Sequence, residues 1–158
     1  MDQMTRADEA QAALKKYVVG AVAIGLIPLP FLDIALLTAL QLRLVKSLSD
    51  IYEVEFLEHL GQSSLSALVG GTFPVAVRSL TKAIPTYGTL VGAVACSSLA
   101  GASTYAVGKV FILHFESGGS LLTLDPNELQ GYYLEQFKKG QLIVRGQDSA
   151  DDCVGVKP

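Results

Sequence analysis

The chain has 158 residues, of which 50% are apolar and only 17% charged, against about 25% charged in an average soluble domain. A net charge of −3 supplies no basic field to hold nucleic acid, so no nucleic-acid partner is expected. Mean hydropathy of +0.40 lies on the membrane side of ordinary globular composition.

This length predicts one helical domain over residues 1–145, followed by a polar, disordered tail over 146–158. The opening Met-Asp-Gln-Met-Thr-Arg-Ala-Asp-Glu-Ala is acidic and polar, unlike the positive start of a cleaved signal peptide, so any insertion is expected to use internal segments. Cys96 and Cys153 cannot form a disulfide framework. Cys96 is expected to be a small buried residue and Cys153 to lie in the tail, which points to a reducing compartment.

Residues 7–16 read as the first, solvated turns of a helix. From Tyr17 to Leu42 the one charge is Asp33, and the centre is Ile27-Pro28-Leu29-Pro30. Two prolines spaced by one residue remove backbone donors and push their predecessors out of helical geometry. The pattern predicts helices over about 8–27 and 31–50, joined by a Pro turn.

A third helix is expected over about 55–70, interrupted by Gly70-Gly71 and Phe73-Pro74, with a short helix over 75–83 carrying Arg78 and Lys82. The long stretch from Ala83 to Gly108 has no charge and exceeds the about 20 residues that span a bilayer. In steps of four it reads Gly88, Gly92, Cys96, Ala100, Thr104, Gly108, with Ala93, Ser97 and Gly101 alongside. Rows so spaced share a helix face, and a face of small residues lets another backbone approach closely. The expected partner is intramolecular, Gly20–Gly25 or Ser66–Gly70; a homo-oligomer is the alternative.

Ser117-Gly118-Gly119 is a helix stop. Asp125-Pro126-Asn127-Glu128 opens a last helix, about 125–139, with an N-cap, a first-turn Pro and a third-position Glu. Its Leu129, Tyr132, Tyr133 and Phe137 need an apolar cover. No strand pair or repeat is present, so the fold class is all-α: a helical bundle of apolar hairpins around a small-residue central helix.

No phosphate loop or metal-ligand spacing occurs, and no Ser has the Gly-x-Ser-x-Gly context. Buried Ser97 or Ser98 is expected to bond its own helix backbone. No catalysis, cofactor or metal is expected. Asp33 reads as a group meeting the free N–H groups at the start of the second helix, with a functional acid in the membrane as the sharper alternative. His114 and Glu116 read as a wetted helix end rather than an acid–base pair.

The segment from Tyr17 through Pro28, Pro30 and Asp33, then Leu37–Leu42, resembles a bacterial domain family of unknown function. That family is shared by YcjF-type inner-membrane proteins and the C-terminal regions of some Era-like GTPases. Tyr52-Glu-Val-Glu-Phe56, the Gly70-Gly71 pair, Ile84-Pro85 with Gly88 and Gly92, and His114-Phe-Glu-Ser-Gly-Gly119 extend the resemblance over about residues 7–137. It implies a helical, membrane-associated domain that often accompanies a GTPase. This sequence carries no GTPase half, so a GTPase would act in trans. The residues singled out, on structural or functional grounds, are Pro28, Pro30, Asp33, Gly88, Gly92, Gly101, His114, Glu116, Gly118 and Gly119.

The expected role is a non-enzymatic module in the bacterial inner membrane, in contact with lipid and anchoring or sensing for a cytoplasmic partner. Lys15, Lys16, Arg43 and Lys46 flank the first hairpin and favour cytoplasmic termini. The alternatives are a soluble or peripheral bundle binding lipid or another apolar ligand, and a small pore or transporter subunit using Asp33.

Overall fold

The computed structural model describes residues 4–27, 32–81 and 89–146, with side-chain surroundings over 4–27, 35–71 and 96–146. The described residues form five helices: α1 (Arg6–Gly25), α2 (Leu32–Ile51), α3 (Glu58–Thr81), α4 (Thr89–Glu116) and α5 (Pro126–Val144). The described residues contain no strand. The first two helices lie within a few residues of the expected bounds, because a capping sequence opens α1 and the Pro-rich link separates it from α2.

Two expected interruptions do not occur. α3 runs unbroken through Gly70, Gly71 and Pro74 to Thr81, so the short helix over 75–83 is not a separate element. Gly and Pro cost about 1 and 3 kcal/mol in a helix interior, so α3 continues at a local cost. α5 continues past Gly140 to Val144. There the glycine serves packing: a Cβ on it would stand 2.9 Å from Ala102 Cα, so α4 and α5 touch backbone to backbone.

α4 is the central helix, packed mainly between α1 and α5. Its contacts change character along its length. Toward the Glu116 end, large side chains make the core: Leu14, Leu44, Leu48, Leu65, Leu68, Val107, Val110, Phe111 and Tyr133 are all almost wholly buried. Toward the Thr89 end, small residues let backbones meet. A Cβ on Gly25 would lie 2.5 Å from Ser97 Cα. One on Gly101 would meet Val22 and Val144 at 2.7 and 2.8 Å, and one on Gly108 would collide with Leu14. α1 is therefore the helix against the small-residue face, whereas Gly70 on α3 has nothing within 4 Å of a Cβ. Cys96 is exposed, contrary to expectation, because α1 covers the neighbouring Ser97 and leaves Cys96 beside the contact.

A polar chain crosses the core between these zones. Gln41 Nε2 donates to Ser103 Oγ at 3.1 Å and lies 3.3 Å from Thr104 Oγ1. Ser103 Oγ in turn shares a 3.0 Å hydrogen bond with the Tyr133 hydroxyl. These groups are all at least nine-tenths buried, and such bonds gain directional strength away from water. Ser98 Oγ is buried without a hydrogen bond among the described residues, so Ser98 does not bond its own helix backbone.

Candidate functional site

The candidate site lies at the polar end, where α1 starts and α2 and α4 end. Thr5 caps α1: Asp8 N–H donates to Thr5 Oγ1 at 3.2 Å, and Asp8 Oδ2 accepts from Thr5 N–H at 3.0 Å. This reciprocal pair satisfies two helix-end donors. The Thr5 hydroxyl, and then its backbone N–H, hold the Asp8 carboxyl below its usual 3.8.

α2 and α4 end in the same way. After α2, Val54 N–H donates to Ser49 O at 2.8 Å and Glu53 N–H to Asp50 O at 3.3 Å. After α4, Gly119 N–H donates to His114 O and Gly118 N–H to Phe115 O, both at 3.0 Å. Each pair is a Schellman cap, which puts one residue in the left-handed region. Gly118 occupies it at φ 81° without penalty, whereas Glu53 occupies it at φ 58°, where a Cβ costs roughly 1–2 kcal/mol.

The two caps face each other. Tyr52 OH donates to Glu116 Oε1 at 3.0 Å, the Tyr52 and Phe115 rings are 6.0 Å apart, and Arg6 Nη2 reaches Glu53 Oε2 at 3.1 Å. Tyr52, Phe115, Glu116 and Arg6, together with Thr5, Val54 and Gly119, line an open cleft of about 650 Å³. Tyr52 is pushed up to about 12, first by partial burial and then by the hydrogen bond and charge of Glu116, so it is a neutral donor at physiological pH. Tyr132 is also raised, by burial and then by the charges of Glu135 and Glu116.

His114 turns away from this cleft. Its Nε2 lies 2.9 Å from Ser120 O. A carbonyl only accepts, so Nε2 carries the hydrogen. Thr123 Oγ1 accepts from Ser120 N–H at 2.9 Å and completes the knot. A Cβ on Gly119 would collide with the His114 ring, which is why glycine follows Gly118. His114 and Glu116 do not pair, as two residues spaced by two on a helix point apart.

Of the residues expected from sequence, Glu116, Gly118 and Gly119 line the cleft, His114 fixes the loop behind it, and Gly101 sits between α1 and α5. Asp33 lies in the first turn of α2 and Gly92 in α4 by backbone; their side-chain surroundings lie outside the described residues. Pro28, Pro30 and Gly88 lie outside them too. Sequence reasoning passed over Thr5, Arg6 and Phe115 as site residues and did not pair Tyr52 with Glu116. The Thr5-x-x-Asp8 spacing was a readable capping signal, but nothing in the sequence tells that residues 52 and 116 meet. Among the described residues, no three of His, Cys, Asp and Glu gather as a metal site requires.

A helical bundle with a polar cleft at one end and backbone-close packing at the other is the class this geometry defines. Residues 2–140 match the model of DUF697, a domain of unknown function, and the chain belongs to that family. It is 40% identical over 149 residues to magnetosome membrane protein 22 of Magnetospirillum gryphiswaldense, a match covering 90% of this chain and 76% of that protein. No solved structure matches.

Proposed function

We propose that this chain is a membrane-associated helical module without chemistry of its own, which anchors or senses for a cytoplasmic partner. The observation that carries the reading is the exposure of large apolar side chains away from the cleft. Val19 is 70% exposed, Leu26 52%, Ile27 44% and Leu36 46%, all on the α1–α2 hairpin. Its kinship with a protein named as a membrane protein supports the same reading. In this arrangement the apolar end meets lipid and the Tyr52–Glu116 cleft faces the partner, with the bacterial inner membrane as the site and a GTPase acting in trans as the partner class. Expression of the full chain, followed by an alkaline carbonate wash, tests it: the protein should stay with the membrane pellet.

A second reading has its own support. Among the described residues one stretch, Cys96–Glu116, is long and apolar enough to cross a membrane, and 72% of its apolar 18-residue window is buried within the protein. The bundle thus covers its most apolar helix without lipid, as a peripheral protein would. Release into the carbonate supernatant would favour this reading over the first.

A further inference from the structure

We infer that the exposed cations around the middle of the bundle form a belt that docks on anionic lipid headgroups, with the apolar α1–α2 tip entering one leaflet. The inference rests on the membrane reading and adds to it a lipid class and a depth.

Four contacts fix the levels. Leu14 packs at Gly108, which puts Lys15 and Lys16 about 12 Å along α4 from Glu116 at 1.5 Å per residue. Gly140 packs at Ala102, which puts Lys138 and Lys139 about 20 Å along the same axis. Arg43 and Lys46 lie between Gln41, bonded to Ser103, and Tyr52, bonded to Glu116. All six cations are exposed. Glu135 lies at this level, 3.9 Å from Lys139. Lys109 shares the level but turns inward, donating to Gln11 Oε1 at 3.0 Å over the Tyr105 ring.

Charge is sorted to either side of the belt. Toward the cleft lie carboxylates, including Glu9, Asp50, Asp125 and Glu128, all exposed. In the opposite direction the described side chains of Tyr17–Ile27, Ala35–Leu42 and Cys96–Gly108 include no charge. Arg145, just past the end of α5, is exposed and long enough to bring its charge back to an interface. A bundle surrounded by water gains from both signs interspersed along its surface. A bundle on an anionic surface gains from cations at the headgroups and acids beyond a screening length of about 10 Å. The charge-free arm of α1 from Tyr17 to Leu26 is about 15 Å long, half the roughly 30 Å hydrocarbon core.

Flotation of the full chain with vesicles tests this. One set is pure phosphatidylcholine; the other adds phosphatidylglycerol at one part in four. Two double variants are floated alongside, Lys15→Gln with Lys16→Gln and, as the control, Glu9→Gln with Asp50→Asn; thermal unfolding checks that both fold. The expected result is partition at least about tenfold stronger into the anionic vesicles, falling with salt, reduced about tenfold or more by the lysine changes and not by the carboxylate ones. Equal, salt-independent binding to both vesicles, or unaltered binding of the folded lysine variant, overturns the belt and leaves the membrane reading standing. Binding to neither vesicle, with the chain sedimenting as a dimer, overturns both and gives the apolar end to a second copy.

Discussion

The two ends of the bundle are held together by different physics. Near the cleft, Phe111, Leu44, Leu48 and Leu68 form a core of large side chains, whose stabilisation comes from removing apolar area from water. Near the tip, Gly25 lies on Ser97 and Gly140 on Ala102, contacts that gain mainly dispersion and bury little side-chain area. The first kind of packing needs water outside it. The second works equally well in lipid, where hiding one apolar side chain behind another gains little. The difference teaches that the fold is cemented at its wet end and shaped for close approach at the other.

The largest effect that would break this contrast is at the tip. Gly25→Leu would drive a side chain into the backbone of α4 and should abolish folded expression, since overpacking costs about 1–3 kcal/mol even where the surroundings can yield. Gly70→Ala, in a helix with open space, should be neutral or stabilise by up to about 1 kcal/mol. Circular dichroism melts of the two compare them directly; equal tolerance would mean the tip contact is not a constraint.

The next effect is at the wet end. Tyr133→Ala removes a fully buried ring and should cost about 3–5 kcal/mol in denaturant unfolding. Tyr133→Phe, which removes the hydrogen bond to Ser103, should cost about 1 kcal/mol. A loss below 1 kcal/mol for the alanine variant would show that the core does not carry the stability assigned to it.

Smaller and opposite effects distinguish the two caps of the cleft. Gly118→Ala should destabilise by about 1 kcal/mol, because alanine resists φ 81°. Glu53→Gly relieves the same strain at φ 58°. The Arg6 contact it sacrifices is exposed and contributes under about 1 kcal/mol, so the variant should be no less stable than the parent. Two losses of equal size would mean that Glu53 is not strained.

The subtlest effect is on pH. The folded Tyr52 hydroxyl is raised from 10.0 to about 12, so folding favours the protonated form. Its contribution is fully present below 10, and is lost as the unfolded chain, which ionises first, gains ground through the window up to about 12. Tyr52→Phe should flatten the decline of melting temperature with pH across that window. An unchanged slope would remove the Tyr52–Glu116 bond from the account of the cleft.

The sequence by itself determined what depends on neighbours along the chain. Thr5 with Asp8, Asp125 before Pro126, the Pro-rich link and Gly118 each act within a turn of their own position, so the starts of α1 and α5 and the stop of α4 were legible. So was the all-α class, from charge-free stretches and helical spacing. Only the tertiary structure decided where a local signal is overruled. Pro74 and Gly140 read as interruptions because propensity counts a residue's own backbone, yet α3 and α5 continue through them, α5 with Gly140 seated on Ala102. It also decided which distant groups meet. Nothing local at Tyr52 or Glu116 reports the other, and they join because α2 and α4 end side by side in matching caps. The belt has the same origin: its lysines are scattered along the sequence and come to one level only when Leu14 finds Gly108 and Gly140 finds Ala102.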